Sequence, residues 1–302
     1  MCAHKDGQDV PRGTIGAVRL WIAAAGHLAV WAVMYAAGVA IILGEFLENQ
    51  IGDLGLVYVC LCAHSGYLLD RIKFRDADLD PADLMAEPGR HVFLRRRAKW
   101  LRVLMAAEWI GAATVGVVIS PVLGAVVFGG VVVGYLYSGW KPGKGARLKD
   151  VTGLKAGLVA SAVVGLGLAA VLGESVWDEG LWELDLHIQS LMTMLGLWLI
   201  VCGDAVVCDL DDVRSDGVYL TRSLPVLMGT RRAAIIAAGL LVVGGAMVTF
   251  GGEGSSDGLN QSRVLFAGMI VASGLGIMRQ RKRRDWIDGR MLAVALFAVF
   301  VG

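Results

Sequence analysis

Three aspartates at the end of a long apolar segment are the residues best suited to chemistry. Asp209, Asp212 and Asp216 are three and four residues apart, so at about 100° per residue they share one face of a helix. Converging carboxylates repel one another unless a cation lies between them, and Mg²⁺ prefers carboxylates together with substrate phosphates. The spacing indicates either a metal site or an acidic turn paired with Arg214 and Arg222.

The composition around these aspartates is typical of a membrane protein. The chain has 302 residues, of which 56% are hydrophobic and 18% are charged, whereas a soluble domain carries about 25% charged residues. A bilayer core needs roughly 20 apolar residues per helix, and segments of that kind recur along the chain. We therefore predict an all-α polytopic helical bundle of about nine transmembrane helices around a central cavity. The predicted spans are 18–44, 51–70, 101–119, 121–140, 155–173, 189–208, 232–250, 263–278 and 287–302.

The net charge of +1 conceals a strong asymmetry between the two sides of these spans. All but Arg263 of the 28 basic residues fall on one side, Arg290 at the start of the last span among them. Because positive charge marks the cytoplasmic side, we expect a multi-pass inner-membrane protein with residues 1–13 as a cytoplasmic tail. Residues 14–302 then form a single transmembrane domain whose aspartates face the cytoplasm.

The basic run 279–284 indicates contact with anionic membrane lipid. No nucleic-acid partner is expected for a polytopic chain. Among the ionisable residues inside predicted spans are His27, Glu108 and Asp204. Such residues either line a functional cavity or form hydrogen bonds between helices.

The aspartates and the residues after them resemble the second aspartate motif of the UbiA-type membrane prenyltransferases. The D-x-x-D-x-x-x-D pattern is followed by Gly217, by Ser223-Leu224-Pro225-Val226 and by Gly229. The resemblance implies nine transmembrane helices and a site that faces the cytoplasm. It also implies Mg²⁺-dependent transfer of an isoprenyl group from an isoprenoid diphosphate donor to an aromatic or other lipophilic acceptor.

A second patch, Tyr137 to Lys141 ("YSGWK"), resembles the Y-x-x-x-K element of the same family. The two residues are four apart and share a helix face, so Lys141 could hold a diphosphate oxygen with Tyr137 beside it. The alternative is an interfacial tyrosine and a snorkelling lysine, which are common at membrane boundaries. Arg19, near the start of the first span, matches an arginine that faces the diphosphate in many family members.

The first aspartate motif of the family is degenerate in this chain. Asp70 with Arg71 fits the second position of that motif, but Gly66 and Tyr67 stand where an asparagine and the first aspartate are expected. The resemblance implies that the metal ligands would be Asp70, Asp76, Asp209, Asp212 and Asp216. Asp76 would act from a loop. His64 or Ser65, just before Gly66, could replace the missing polar ligand, although His64 could equally be a capping or packing residue.

Two alternative functions follow from these departures. A CDP-alcohol phosphatidyltransferase also uses aspartates and Mg²⁺, but Asp212 is followed by Val213 and no Ala-Arg pair occurs at the required spacing. A catalytically altered prenyltransferase-like membrane protein, which binds or transports without turnover, is the alternative that the degenerate first motif favours.

Overall fold

The computed structural model describes residues 24–47, 49–74, 81–138, 147–151, 153–179, 188–219, 221–251, 257–280 and 283–301. The secondary structure in these ranges is helical, which confirms the all-α prediction. In chain order the helices are α1 (Val30–Phe46), α2 (Asp53–Ile72), α3 (Pro81–Ala86), α4 (Pro88–Ile119), α5 (Pro121–Ser138), α6 (Leu154–Glu179), α7 (Ile188–Val218), α8 (Leu224–Met228), α9 (Thr230–Phe250), α10 (Asp257–Ile277) and α11 (Arg283–Val301). A 3-10 turn, Leu148–Asp150, precedes α6.

Each of the nine predicted segments overlaps one long helix, and the short helices α3 and α8 lie between them. Within the described part of the chain, five helices are long and apolar enough to cross a membrane: α4, α5, α7, α9 and residues Leu154–Gly173 of α6. This set is typical of an integral membrane protein. The helix α4 begins at Pro88, well before the predicted start of its span at residue 101.

Glycine allows α7 and α9 to approach backbone to backbone. A Cβ built on Gly196 would lie 2.8 Å from the carbonyl oxygen of Gly244, and a Cβ built on Gly244 would lie 2.5 Å from the carbonyl oxygen of Gly196. Small residues at helix crossings are the usual device for tight packing in lipid. Close helix packing thus explains the two glycines at this crossing.

One end of the bundle is closed by contacts between helix termini. Arg263 of α10 donates a 2.8 Å hydrogen bond to the carbonyl oxygen of Phe46, which terminates α1. Thr193 near the start of α7 donates a 3.1 Å hydrogen bond to the carbonyl oxygen of Gly251, directly after α9. Arg263, the basic residue that the charge distribution separates from the others, therefore lies at this end.

At the opposite end of the bundle, several helix termini with charged residues lie close together. Arg102 of α4 donates hydrogen bonds to the carbonyl oxygens of Ile72 and Lys73, at 3.1 and 3.0 Å, and so caps the end of α2. The ends of α2 and α7 and the start of α6 meet here through ion pairs. Arg263 and the basic residues Arg102, Lys149 and Lys155 thus lie at opposite ends of the bundle, as the charge distribution along the sequence predicts.

Arg290 departs from that pattern. It was expected beside the basic loop before the last span, but in α11 its side chain is 5% exposed and it pairs with Asp204 of α7 inside the bundle. Burial of this guanidinium is possible because the partner carboxylate and the carbonyl oxygen of Ile270 both accept hydrogen bonds from it.

Candidate functional site

Two of the three aspartates on α7 share a single cation. The Nζ atom of Lys155, in the first turn of α6, lies 2.7 Å from Oδ1 of Asp209 and 3.3 Å from Oδ2 of Asp216. Both carboxylates are buried. Asp212 lies within electrostatic range of the same lysine. Two of the three aspartates thus contact one ammonium group with the third in its vicinity, and neither Arg214 nor Arg222 supplies the shared contact.

The end of α2 forms a second cluster, centred on Asp70. The Nζ atoms of Lys73 and Lys149 lie 3.1 and 3.2 Å from the same oxygen, Oδ1 of Asp70. The Nε atom of Arg71 lies 3.8 Å from Oδ2 of Asp70, and the guanidinium of Arg71 also pairs with Asp83. Three basic groups therefore contact the carboxylate of Asp70, and one of them, Arg71, also binds a second carboxylate.

Tyr137 joins the two clusters. Its ring centroid lies 6.0 Å from Nζ of Lys149, and its hydroxyl is within electrostatic range of Asp70, Asp209 and Lys155. The ends of α2, α5 and α7 and the start of α6 thus converge at one place. The predicted site residues Asp70, Asp209, Asp216 and Tyr137 belong to this assembly, which we call the aspartate–lysine site.

The segment that carries Lys149 is held in place from both sides. Arg147 makes a bidentate contact with Asp150, at 2.7 and 2.9 Å, and Thr221 donates a 3.3 Å hydrogen bond to Oδ1 of Asp150. Lys149 lies between Arg147 and Asp150, in the 3-10 turn. The turn is therefore tied to the chain that follows α7, which positions Lys149 against Asp70.

Ser223, also in the chain that follows α7, is 1% exposed, and its hydroxyl oxygen has no hydrogen-bond partner within the described ranges. It is the first residue of the Ser-Leu-Pro-Val stretch.

The aspartate–lysine site has the donor chemistry of a Mg²⁺ site but is neutralised by lysine. Carboxylate oxygens are hard ligands that suit Mg²⁺. In the described part of the chain, however, no group of three or more His, Cys, Asp and Glu side chains is arranged to hold a metal ion. The Nζ atom of Lys155 occupies the position between Asp209 and Asp216, and it would have to move for a metal ion to bridge them.

Three of the predicted site residues, Lys141, Asp76 and Arg19, lie outside the described residues. Ser65 lies among the described residues, and its side chain bonds to its own helix instead of to the aspartates of the site. Its hydroxyl donates a 3.2 Å hydrogen bond to the carbonyl oxygen of Cys62, within its own helix.

His64 and Glu108 form a pair between α2 and α4. The Nδ1 atom of His64 lies 2.6 Å from Oε1 of Glu108. Nε2 of His64 donates a 2.8 Å hydrogen bond to the carbonyl oxygen of Leu28. Ala29, directly after Leu28, has a φ of 59° and interrupts the helix before α1. The interruption leaves the carbonyl of Leu28 for His64, and the pair therefore fastens the first helical segment to α2 and α4.

Asp204 is part of a separate buried network. Tyr35 of α1 donates a 2.7 Å hydrogen bond to Oδ2 of Asp204, and Arg290 of α11 donates to Oδ1. His27 packs against the ring of Phe93, with centroids 5.3 Å apart. The structure thus shows Asp204 and Glu108 in hydrogen bonds between helices and His27 in a ring contact.

Lys73, Lys149 and Lys155 are the functional candidates that sequence reasoning missed. The sequence places all three on the basic side, where they were counted only as charges. A usable signal exists for Lys155, because it begins the apolar segment 155–173 rather than lying in the loop before it. A lysine at the edge of a span is costly to bury without a partner, which would have suggested an acidic partner on another helix.

Comparison with protein-family models, with curated proteins and with solved structures finds no match for this chain. The geometry is therefore the basis for assigning chemistry. Three lysines, an arginine and a tyrosine converge with buried carboxylates at one end of a membrane bundle. Such a site can bind an anion that brings its own cation, as a metal-chelated phosphate does.

Proposed function

We propose that this chain is an intramembrane prenyltransferase that transfers an isoprenyl group from an isoprenoid diphosphate to an aromatic or other lipophilic acceptor. The observation that supports it is the convergence of the Asp70 cluster and the Asp209–Asp216 pair around Tyr137. In this proposal all nine long helices cross the inner membrane. The N-terminus and the aspartate–lysine site face the cytoplasm, from which the diphosphate group enters.

The two clusters together offer the groups that a chelated diphosphate needs, which are cations for its oxygens and carboxylates for its metal ion. Asp70 faces three basic groups, whereas Asp209 and Asp216 share one. An anionic group placed near Lys73 and Lys149 would meet two ammonium groups that already lie together on one oxygen of Asp70. Mg²⁺, when bound by Asp209, Asp212 and Asp216, would supply positive charge to the diphosphate oxygens. Lys155 would then be free to turn from the carboxylates to the diphosphate.

The residues of the chain assist the bond cleavage electrostatically. The bond between the allylic carbon and the diphosphate oxygen breaks, and the diphosphate leaves with the electron pair. Lys73, Lys149 and Arg71 stabilise the negative charge that develops on it, as preorganised cations do in other transferases. An electron-rich acceptor then bonds to the allylic carbon and loses a proton. The apolar tail of the donor lies among the helices, which explains why such an enzyme needs a membrane.

Transfer from labelled farnesyl or geranylgeranyl diphosphate in proteoliposomes with Mg²⁺ tests the proposal, using a panel of lipophilic acceptors. Asp212→Ala and Asp216→Ala are expected to lower the rate by about 10²–10³, the usual effect of removing one electrostatic contact to a transition state. Asp211→Asn is the matched control, because Asp211 pairs with Arg283 instead of Lys155. Full activity in both alanine variants would refute the assignment.

The second candidate function is a binding or transport protein with the same site and no turnover. It is favoured by Tyr67, which replaces an expected aspartate and lies under Arg71, with the guanidinium carbon 5.2 Å from the ring centroid. The two functions separate in one experiment on the purified protein. Binding of a non-hydrolysable farnesyl thiodiphosphate, without diphosphate release from farnesyl diphosphate in the presence of any acceptor, would favour the binding protein.

A further inference from the structure

We propose that a groove between α3 and the N-terminal part of α4 binds the headgroup of an anionic phospholipid. The groove has a volume of about 390 Å³ and is lined by Leu84, His91, Val92, Arg95 and Arg96. None of these residues belongs to the aspartate–lysine site, and the inference does not depend on the proposed function. We call this feature the α3–α4 groove.

The position of the groove along α4 corresponds to the lipid headgroups. The helix has 32 residues, or about 48 Å at 1.5 Å per residue, whereas the hydrocarbon core is about 30 Å thick. The predicted span begins at residue 101, so Arg95 and Arg96 lie roughly 7–9 Å outside the core. The headgroup layer begins at the core boundary and extends about 5–8 Å on each side, so long arginine side chains reach it easily.

Trp100 marks the same boundary. Its side chain is 78% exposed, and Val103 and Leu104, which follow it, are also exposed to the surroundings of the bundle. Tryptophan is enriched where the hydrocarbon core meets the headgroups. Immediately before it on the helix, Arg95, Arg96, Arg97 and Lys99 are all exposed. This order of lipid-facing apolar residues, tryptophan and arginines is typical of a membrane boundary.

The charge of the groove favours an anionic occupant. Arg95 and Arg96 make no ion pair with any of the described residues, and His91 lies one turn before them on the same face. Asp83, the acidic residue of α3, is already paired with Arg71. Guanidinium groups bind phosphate oxygens through parallel hydrogen bonds, so a phosphate group would neutralise this part of the helix.

The shape of the groove favours a lipid over free phosphate. His91, Val92, Arg95 and Arg96 occupy adjacent positions on one face of α4, and Leu84 faces them from α3. Leu84 and Val92 are 47% and 43% exposed, so each presents apolar surface to the occupant. A lipid covers that surface with its glycerol and upper acyl carbons while the arginines hold its phosphate, whereas inorganic phosphate leaves the apolar surface in water.

Native mass spectrometry of the full chain in non-ionic detergent, with an equimolar mixture of phosphatidylglycerol and phosphatidylcholine, tests this proposal. The wild-type chain is expected to retain phosphatidylglycerol preferentially. The double variant Arg95→Gln/Arg96→Gln should lose that preference by about tenfold or more, since each basic residue near an anionic surface contributes substantially to lipid attraction. Arg231→Gln/Arg232→Gln on α9 is the matched control, because it removes the same charge from another exposed arginine pair.

A second variant keeps the charge and fills the groove. Val92→Trp, at an exposed position, should reduce retention of phosphatidylglycerol although both arginines remain, and circular dichroism would verify helix content in every variant. Unchanged preference in either groove variant would overturn the proposal. Equal losses in the two arginine pairs would indicate diffuse surface charge instead of a site. Displacement of the lipid by millimolar inorganic phosphate would identify a free-phosphate site and would also overturn it.

Discussion

Asp204 and Asp209 lie five residues apart on α7, and both are buried carboxylates beside a cation, yet their surroundings differ. Asp204 uses one oxygen for Tyr35 and the other for Arg290. Asp209 shares the ammonium group of Lys155 with Asp216. The first carboxylate has one cation and one neutral donor to itself, whereas the second competes for its cation. A closed pair suits a structural link, and a shared cation suits a site that exchanges partners.

The largest effect is expected from breaking the closed pair. Arg290→Gln leaves the charge of Asp204 buried without its cation, and removal of one partner of a buried ion pair costs about 3–5 kcal/mol. The free energy of unfolding, measured by titration with sodium dodecyl sulfate from a mild detergent, should fall by that amount. The loss is large because α1, α7 and α11 are all joined through Asp204.

The double variant Asp204→Asn/Arg290→Gln is the control for this prediction. It removes both charges, so most of the stability should return, since a neutral pair has no uncompensated charge to bury. Wild-type stability in Arg290→Gln alone would show that the network does not hold the bundle together. Asp204 would then no longer differ from Asp209 by acting as a structural link.

A smaller loss of stability, which Mg²⁺ should partly reverse, is expected at the shared cation. Lys155→Ala leaves Asp209 and Asp216 without their common partner. Because Lys155 is 18% exposed and Arg290 only 5%, water can reach the two carboxylates, and the cost should lie below that of a fully buried pair, about 3–5 kcal/mol. If the pair can hold Mg²⁺, the metal should restore much of this loss, because a ligand that binds only the folded state stabilises it. Unfolding with Mg²⁺ and with a chelator measures the difference.

Lys149→Ala sharpens the same comparison. Asp70 keeps Lys73 and Arg71 when Lys149 is removed, so Mg²⁺ should stabilise this variant no more than the wild-type protein. In the wild-type protein Mg²⁺ must displace Lys155, and its stabilising effect should be weaker than in Lys155→Ala. A Mg²⁺ effect of equal size in all three proteins would argue against a metal site at the α7 aspartates.

The sequence predicted the helical segments well because the signal is local. Runs of apolar residues produced nine segments, and each overlaps a long helix. Turns between helices were also visible, as at Ser120-Pro121 between α4 and α5. The start of α4 at Pro88 was missed because residues 88–100 are too polar for a span. A helix that projects beyond the membrane core has no reason to be apolar all round.

The site was predicted only in part, because its pairs are remote in sequence. The spacing on α7 correctly placed Asp209 and Asp216 on one face, as their common contact with Lys155 requires. The lysine partners of these aspartates could not be predicted from local spacing, because Lys149 is 79 residues from Asp70 and Lys155 is 61 residues from Asp216. Only the packing of α6 between α2 and α7 selects these lysines from the many basic residues on that side.

The smallest effect is expected at Ser65, where the sequence predicted a substrate ligand and the structure shows a local bond. Its hydroxyl donates to the carbonyl of Cys62, three residues earlier in α2, and alanine favours a helix more than serine does. Ser65→Ala should therefore change the free energy of unfolding by less than about 0.5 kcal/mol and leave prenyl transfer unchanged, whereas Asp216→Ala in the same assay should abolish most of it. A clear loss of transfer in Ser65→Ala, without loss of stability, would show that the hydroxyl leaves Cys62 for the diphosphate. Ser65 would then belong with the exchangeable groups around Lys155 instead of with the closed contacts around Asp204.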